Sequence, residues 1–402
     1  MSSLKLNGVN KIYPSGTLAL YDANLETADR EFVVIVGAEE SGKSTLLRVI
    51  AGLEDVSEGE IFIDGNDVTE VEPKDRDIAI VFRNDTLYPA LNVFDNMAFG
   101  LKIRKASPVL IEQRVKAAAN VLGLTDILYR KPKTLTSAQR QRVALGRAMV
   151  REPKLYLLDE PLAGLDGNLK AELLNVIVNL QARMEGTFIY ATKNLSEALT
   201  IGTRIIVMKH GTIQQIDTPA NLYDYPVNAY VAFYIGAPTI NFVNNARIIK
   251  EDGEVFACDG ELKIKLADNI LTRFEKFEEY IDTDKRVILG IRPEDAAAVN
   301  GSGARVTKVE HDGADCYAEC EYCGHTLVVK TDGGRTAGDC AVTVDETRLY
   351  IFDAQTRLTL LARDGGYNDT GFADANSTPL TFAEEEELVK TFKSKKAEKK
   401  KK

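Results

Sequence analysis

The chain has 402 residues, 45% of them apolar and 27% charged, an ordinary globular balance at a length that favours two or three domains. Its net charge of −10 argues against a generic nucleic-acid binder, which would carry a basic surplus. No run of about eighteen apolar residues occurs and the first residues lack an apolar stretch, so neither a membrane span nor a secretory signal is expected. A cytoplasmic chain follows, whose membrane role, if it has one, needs partner subunits.

In chain order, Glu31 to Val36 reads as a short apolar strand ending at Gly37, and Lys43 to Ala51 as a helix closed by Gly52. Further buried strands are expected at 78–82, 155–158, 187–190 and 204–208. Near-continuous apolar strands between helices signal a parallel sheet covered on both faces. Between Pro89 and Pro153 the pattern is mostly helical, with Ile111 to Leu122 as one amphipathic stretch. From about 237 to 362, short strand-like runs such as Val287–Ile291 and Thr326–Val329 alternate with Gly and Asp turns, the pattern of a small all-β barrel. From Arg363 onward the composition is that of a disordered polar tail. It ends in seven lysines between Lys393 and Lys402, a solvated segment or a contact for anionic lipid.

Five cysteines fit no disulfide framework. Cys316, Cys320 and Cys323 with His311 and His325 match no usual zinc spacing, so free thiols on strands and turns are expected rather than a metal site.

The chemistry gathers around Gly37-Ala38-Glu39-Glu40-Ser41-Gly42-Lys43-Ser44, followed by Thr45. Two glycines spaced around a tight loop, then Lys-Ser opening a helix, form a phosphate cradle in which backbone N–H groups converge on anionic oxygens. In that setting Lys43 would reach the terminal phosphates and Ser44 would offer its hydroxyl to Mg²⁺. Downstream, the apolar strand Leu155–Leu158 ends in Asp159 and Glu160. Asp159 suits the metal and Glu160 suits a base that polarises water.

With these motifs in order, the chain resembles ABC transporter ATPases, most closely the sugar-importer, maltose-importer-like branch, over roughly residues 4 to 362. Tyr13 stands where an aromatic stacks on adenine. Thr136, Ser137, Ala138 and Gln139 occupy the family signature, Leu162 to Asp166 the D-loop, and Thr239–Phe242 with Val287–Asp295 the C-terminal β-domain. The resemblance implies an α/β fold: a P-loop ABC ATPase domain at 1–236, a mixed sheet with a helical insertion at about 89–153. A small all-β OB-like barrel would follow at 237–362, then the tail at 363–402. It implies ATP and Mg²⁺, and nucleotides held between one chain's P-loop and another chain's signature. It also implies transmembrane permease subunits docking near 83–100, where Asn92–Met97 resembles the matching segment, an indirect link to a solute-binding protein, and a peripheral place on the cytoplasmic side of the membrane.

Six positions, in four motifs, depart from the family pattern. Arg83 stands for the Q-loop glutamine, and Lys193 for the switch histidine. Ser137 and Ala138 replace the signature glycines, and Glu39 and Glu40 replace small residues of the P-loop. Arginine only donates hydrogen bonds and cannot coordinate a metal as an amide oxygen does, and lysine cannot repeat a neutral imidazole's double role. The new charges are expected to pair with one another, Arg83 and Lys193 against Glu39 and Glu40, weakening ATP binding or hydrolysis. Pairing with a more intact ATPase chain is therefore favoured, with a hydrolysis-deficient scaffold as the alternative.

Overall fold

The structure, a computed structural model, describes residues 3–83, 87–313 and 315–363. It divides into two units between Pro219 and Ala220. The expected tail, beyond Arg363, lies outside the described residues.

The first unit opens with strands β1 (Leu4–Ile12), β2 (Leu18–Glu26) and β3 (Phe32–Val36), then helix α1 (Lys43–Ile50). Strands β4 (Glu58–Ile63), β5 (Asn66–Asp67) and β6 (Ile78–Val81) follow. The helical insertion is α2 (Val93–Ile103), α3 (Pro108–Val121) and α4 (Ser137–Met149). Strand β7 (Leu155–Asp159), α5 (Gly167–Gln181), β8 (Thr187–Thr192), α6 (Leu195–Ile201), β9 (Arg204–Lys209) and β10 (Thr212–Asp217) complete it.

A six-stranded sheet runs in the order β10-β9-β3-β8-β7-β6, and only β10 is antiparallel to its neighbour. Every residue of β3, β7 and β8 is buried, which is why these strands read as continuous apolar runs instead of alternating ones. Beside it lies a four-stranded antiparallel sheet, β2-β1-β4-β5, which the sequence reading did not separate from the parallel core. Leu4, Leu6, Val9 and Ile61 from that sheet, Leu46, Leu47 and Ile50 from α1, and Ile35 and Leu157 from the parallel sheet share one core.

The second unit starts earlier than position 237. Helix α7 (Pro219–Asp224) straddles the division and α8 (Ala229–Tyr234) lies beyond it. The reason is a buried arginine. Arg292, fully buried, donates from Nη1 to the Ala232 and Ile235 carbonyls at 2.9 and 2.6 Å and from Nη2 to the Tyr223 carbonyl at 3.0 Å. Its guanidinium sits 3.9 Å from the Tyr223 ring centroid. Ala229 and Ala232 pack with Ile240, Ile288 and Phe352, so these helical residues belong with the β-rich unit.

That unit's strands are β11 (Asn241–Glu251), β12 (Glu254–Asp259), β13 (Leu262–Lys265), β14 (Val287–Ile291), β15 (Ala296–Asp312), β16 (Asp315–Tyr322), β17 (His325–Thr331), β18 (Gly338–Val344) and β19 (Leu349–Asp353). They pair as two sheets, β13-β12-β11-β14-β19 and β16-β17-β15-β18, in keeping with the small all-β domain expected. Asn241 ties the two together: its amide Nδ2 donates to the Val328 carbonyl at 2.8 Å and its Oδ1 accepts from the Val328 N–H at 2.7 Å.

The Cys/His set disperses. Cys316 Sγ lies 2.9 Å from His311 Nδ1, His325 lies 3.5 Å from Asp259, and Cys320 is fully buried. Among the described residues no three such groups gather as metal ligands.

Replacing Arg292 with Ala would leave the Tyr223, Ala232 and Ile235 carbonyls without this donor and open a cavity. We expect a loss of about 3 kcal/mol or more in the second unit, read as a lowered midpoint of its calorimetric unfolding transition, with the first unit unchanged.

Candidate functional site

The parallel order builds the site. Val36 pairs with Thr192, Asp159 with Ala191, and Val81 with Leu158. The carboxyl ends of β3, β8, β7 and β6 therefore stand side by side, where α/β sheets bind ligands. Their outgoing segments carry the P-loop, Lys193, Asp159–Glu160 and Arg83. A cleft of about 1030 Å³ opens there, lined by Tyr13, Glu39, Glu40, Ser41, Gly42, Lys43, Ser44, Thr45, Arg83 and Glu160. Thr17, Leu18, Ala19, His210 and Gly211 also line it. These five carry no motif, and only the fold brings them to the cleft.

The loop's two glycines are sterically required. A Cβ on Gly37 would lie 2.4 Å from the Met208 carbonyl oxygen. On Gly42, whose φ is +99°, it would lie 2.9 Å from the Ala19 carbonyl oxygen. Glu40, between them, is left-handed at φ 63°, a conformation that costs an L side chain about 1–2 kcal/mol. Helix α1 then starts at Lys43 with its N-terminus facing the loop, which favours an anion there.

Lys43 is almost wholly buried. Its ammonium donates to the Gly37 carbonyl at 2.8 Å, the Ala38 carbonyl at 2.7 Å and Ser41 Oγ at 3.1 Å. Burial pushes it below the usual lysine range, opposed by Glu160, Asp159 and Glu39. Ser44 Oγ donates to Asp159 Oδ1 at 2.9 Å, so the two oxygen ligands expected from separate motifs meet. Tyr13 is half-buried at the edge of the cleft, its hydroxyl 3.5 Å from Thr45 Oγ1.

The charged departures pair only partly as expected. Lys193 Nζ reaches Glu39 Oε1 at 2.6 Å, and that contact holds the Glu39 carboxyl below the usual carboxylate range. Among the described residues Arg83 forms no ion pair with the loop, although its charge also helps lower the Glu39 carboxyl. Its Nη1 lies 3.3 Å from Glu160 Oε2, because the ends of β6 and β7 are neighbours. Among the described residues, Glu40 is exposed and makes no ion pair.

The signature residues sit elsewhere. Thr136 caps α4, its hydroxyl accepting from the Gln139 N–H at 3.2 Å, and the Gln139 side chain accepts from the Thr136 N–H at 3.0 Å. Arg140, which the sequence reading assigned no role, braces this turn by donating to the Leu135 carbonyl at 2.6 Å and Ser137 Oγ at 3.2 Å. Ser137 is exposed and Ala138 buried. Asp166 caps α5 by accepting from the Leu169 N–H at 3.0 Å. None of Thr136, Ser137, Ala138, Gln139 and Asp166 lines the cleft.

Residues 20–163 match the family described as ABC transporter. The chain is 40% identical over 367 residues to the ABC transporter ATP-binding protein YcjV of Escherichia coli O157:H7, covering 90% of this chain and 100% of that protein. The chain belongs to the ABC transporter ATP-binding proteins. It is also 40% identical to the oligosaccharides import ATP-binding protein MsmX of Bacillus subtilis, over 90% of this chain and 100% of that one. Identity to the sn-glycerol-3-phosphate import ATP-binding protein UgpC of Cupriavidus metallidurans is 40%, over 89% and 98%. Among solved structures, cbiO1 of Clostridium perfringens, part of the ABC transporter complex cbiONQ, matches with a TM-score of 0.51 at 28% identity, over 55% of this chain and 90% of that chain. This ABC transporter ATP-binding subunit thus keeps the family's P-loop, with Glu39 and Glu40 in it, Arg83 lining the cleft and Lys193 paired to Glu39.

Glu39→Ser with Glu40→Gly removes two negative charges from the cradle, frees Lys193 from Glu39 and relieves the left-handed Glu40. The double variant should bind ATP at least about threefold more tightly by calorimetric titration, the scale of a weak exposed ion pair; equal affinities would show that the acidic residues do not restrain binding.

Proposed function

We propose that this chain is the ATP-binding subunit of an importing ABC complex for carbohydrates, the weaker half of a pair with a second ATPase chain. The observation that carries the reading is the meeting of Lys43, Ser44 and Asp159 at one cleft. Ser44 Oγ and Asp159 Oδ1 are hard oxygen ligands, the donor type that Mg²⁺ takes, and these residues would hold the ion. Mg²⁺ bound with ATP supplies charge neutralisation of the phosphates. The chain's own groups do the remaining work. The loop N–H groups and Lys43 bind phosphate oxygens, Tyr13 gives the base an aromatic face, and Glu160 is the carboxylate placed to orient water.

A second subunit is favoured by the separation of cleft and signature. Thr136, Ser137 and Gln139 form a capped helix start that does not line this chain's own P-loop cleft, an arrangement suited to another chain's nucleotide. Carbohydrate cargo is favoured by the oligosaccharides and sn-glycerol-3-phosphate import relatives. The Arg83–Glu160 contact favours the second reading, a hydrolysis-deficient regulatory subunit of the same kind of complex. Glu160→Gln separates the two. If this half-site works, that change should lower ATP turnover of the assembled complex at least about a hundredfold at this site, measured by phosphate release; unchanged turnover favours the regulatory reading.

The permease is proposed to dock in an apolar groove of the first unit, of about 340 Å³, lined by Leu53, Tyr88, Phe99, Gly100 and Ile103. Leu53 and Ile103 are 49% and 66% exposed, an apolar rim to the groove that a partner would cover. Asn96, fully buried, fixes the approach by accepting from the Tyr88 N–H at 2.8 Å and donating to the Tyr88, Leu91 and Asn92 carbonyls. A permease docked on such a surface would hold the chain peripherally at the membrane, and the cytoplasmic face is part of this proposal. An Ile103→Glu variant should lose co-purification with the permease while keeping wild-type ATP affinity; retained co-purification would move the docking site elsewhere.

A further inference from the structure

We propose that Arg83 is a positioning residue that restrains hydrolysis by holding Glu160 away from water, leaving nucleotide binding intact. The proposal rests on the reading of the cleft as an ATP site and deepens it.

The contact is built by the fold. Arg83 follows the end of β6 and Glu160 follows the end of β7, and the two strands are parallel neighbours in register at Val81 and Leu158. Glu160 is fixed from behind, since its N–H donates to the Ala191 carbonyl at 2.9 Å and its φ is 45°. Its carboxylate is only 13% exposed, and the oxygen Oε2 has Arg83 Nη1 at 3.3 Å. A carboxylate that polarises water must turn a lone pair toward that water. The guanidinium beside Oε2, a charge contact and not a hydrogen bond, competes with that water for the carboxylate. Nor does arginine replace the lost function, because it donates only and does not give up its proton.

The groups that would hold nucleotide are disposed differently. Lys43 stays among the loop carbonyls, Ser44 meets Asp159, and Lys193 rests on Glu39, whose side chain is 70% exposed. An exposed pair of that kind exchanges easily for a phosphate. Binding and hydrolysis are therefore separable here: the cradle is whole while the one carboxylate placed to orient water is engaged. The Arg83 side chain is itself 52% exposed, so its hold is weak and salt-screened. Such a contact acts as a releasable brake.

The test uses the complex assembled with the partner ATPase chain, with Mg²⁺ and ATP, in which this chain is wild type or carries Arg83→Gln, Arg83→Lys, or Arg83→Gln with Glu160→Gln. Arg83→Gln should raise kcat at least about threefold, the scale of an exposed ion pair, with KM unchanged within about twofold. Arg83→Lys, which keeps the positive charge, should show less than half of the Arg83→Gln gain. Wild-type turnover should rise with salt as the pair is screened, and that rise should vanish in Arg83→Gln. Glu160→Gln added to Arg83→Gln should abolish the gain. A readout independent of turnover comes from nucleotide-free unfolding midpoints, where the Arg83→Gln and Glu160→Gln shifts should be non-additive at low salt and additive at high salt. Equal ATP binding by wild type and Arg83→Gln, with turnover unchanged, lowered or absent in both, would overturn the proposal, as would additive shifts at low salt. Failure of this chain to bind ATP in either form would overturn the ATP-site reading itself, and the proposal with it.

Discussion

The site depends on one constraint, the parallel pairing of β3, β8, β7 and β6. Strand pairing in register brings Gly37, Lys193, Glu160 and Arg83 to one edge although they are spread over more than a third of the chain. Full burial of β3, β7 and β8 keeps that register, because any slip would expose apolar side chains or bury charged ones. The phosphate cradle, the oxygen pair Ser44–Asp159 and both ion pairs of the cleft are consequences of which strand ends are neighbours.

Within that frame the chain-specific charges follow adjacency. Lys193 leaves β8 next to the loop that leaves β3, so it meets Glu39. Arg83 leaves β6 next to β7, so it meets Glu160. Charge balance alone allowed four pairings between Arg83, Lys193, Glu39 and Glu40, and named none with Glu160. The departures changed the chemistry of individual positions and left the geometry of the strand ends as the fold requires it. The same geometry sets the residues apart: Lys43 and Ser44 belong to α1 and the loop, whereas Glu160 follows the end of β7.

The second unit shows a different balance between motif and context. Gly290-Ile291-Arg292-Pro293-Glu294-Asp295 was read as a family marker. In the structure its arginine is the buried hub that gathers the ends of α7 and α8 onto the β-rich unit. That hub is what moves the division of the chain upstream of 237. Asn241, at the entry to the same unit, spans two sheets through one side chain.

What the sequence determined by itself was local. Continuous apolar runs located β3, β6, β7, β8 and β9 within a residue or two, since a strand buried on both faces needs no alternation. The Gly37–Ser44 spacing identified the cradle, since glycine is required wherever a Cβ would strike backbone. The left-handed strain at Glu40 was foreseeable from the same loop. Tertiary structure decided the rest. The antiparallel sheet β2-β1-β4-β5 was missed because its half-buried strands alternate weakly and its pairings are set by partners far along the chain. The cleft residues Thr17, His210 and Gly211 carry no pattern. The partner of Arg83 could not be read because an ion pair is a matter of distance, and distance between strand ends is fixed by sheet order, which no local run of residues contains.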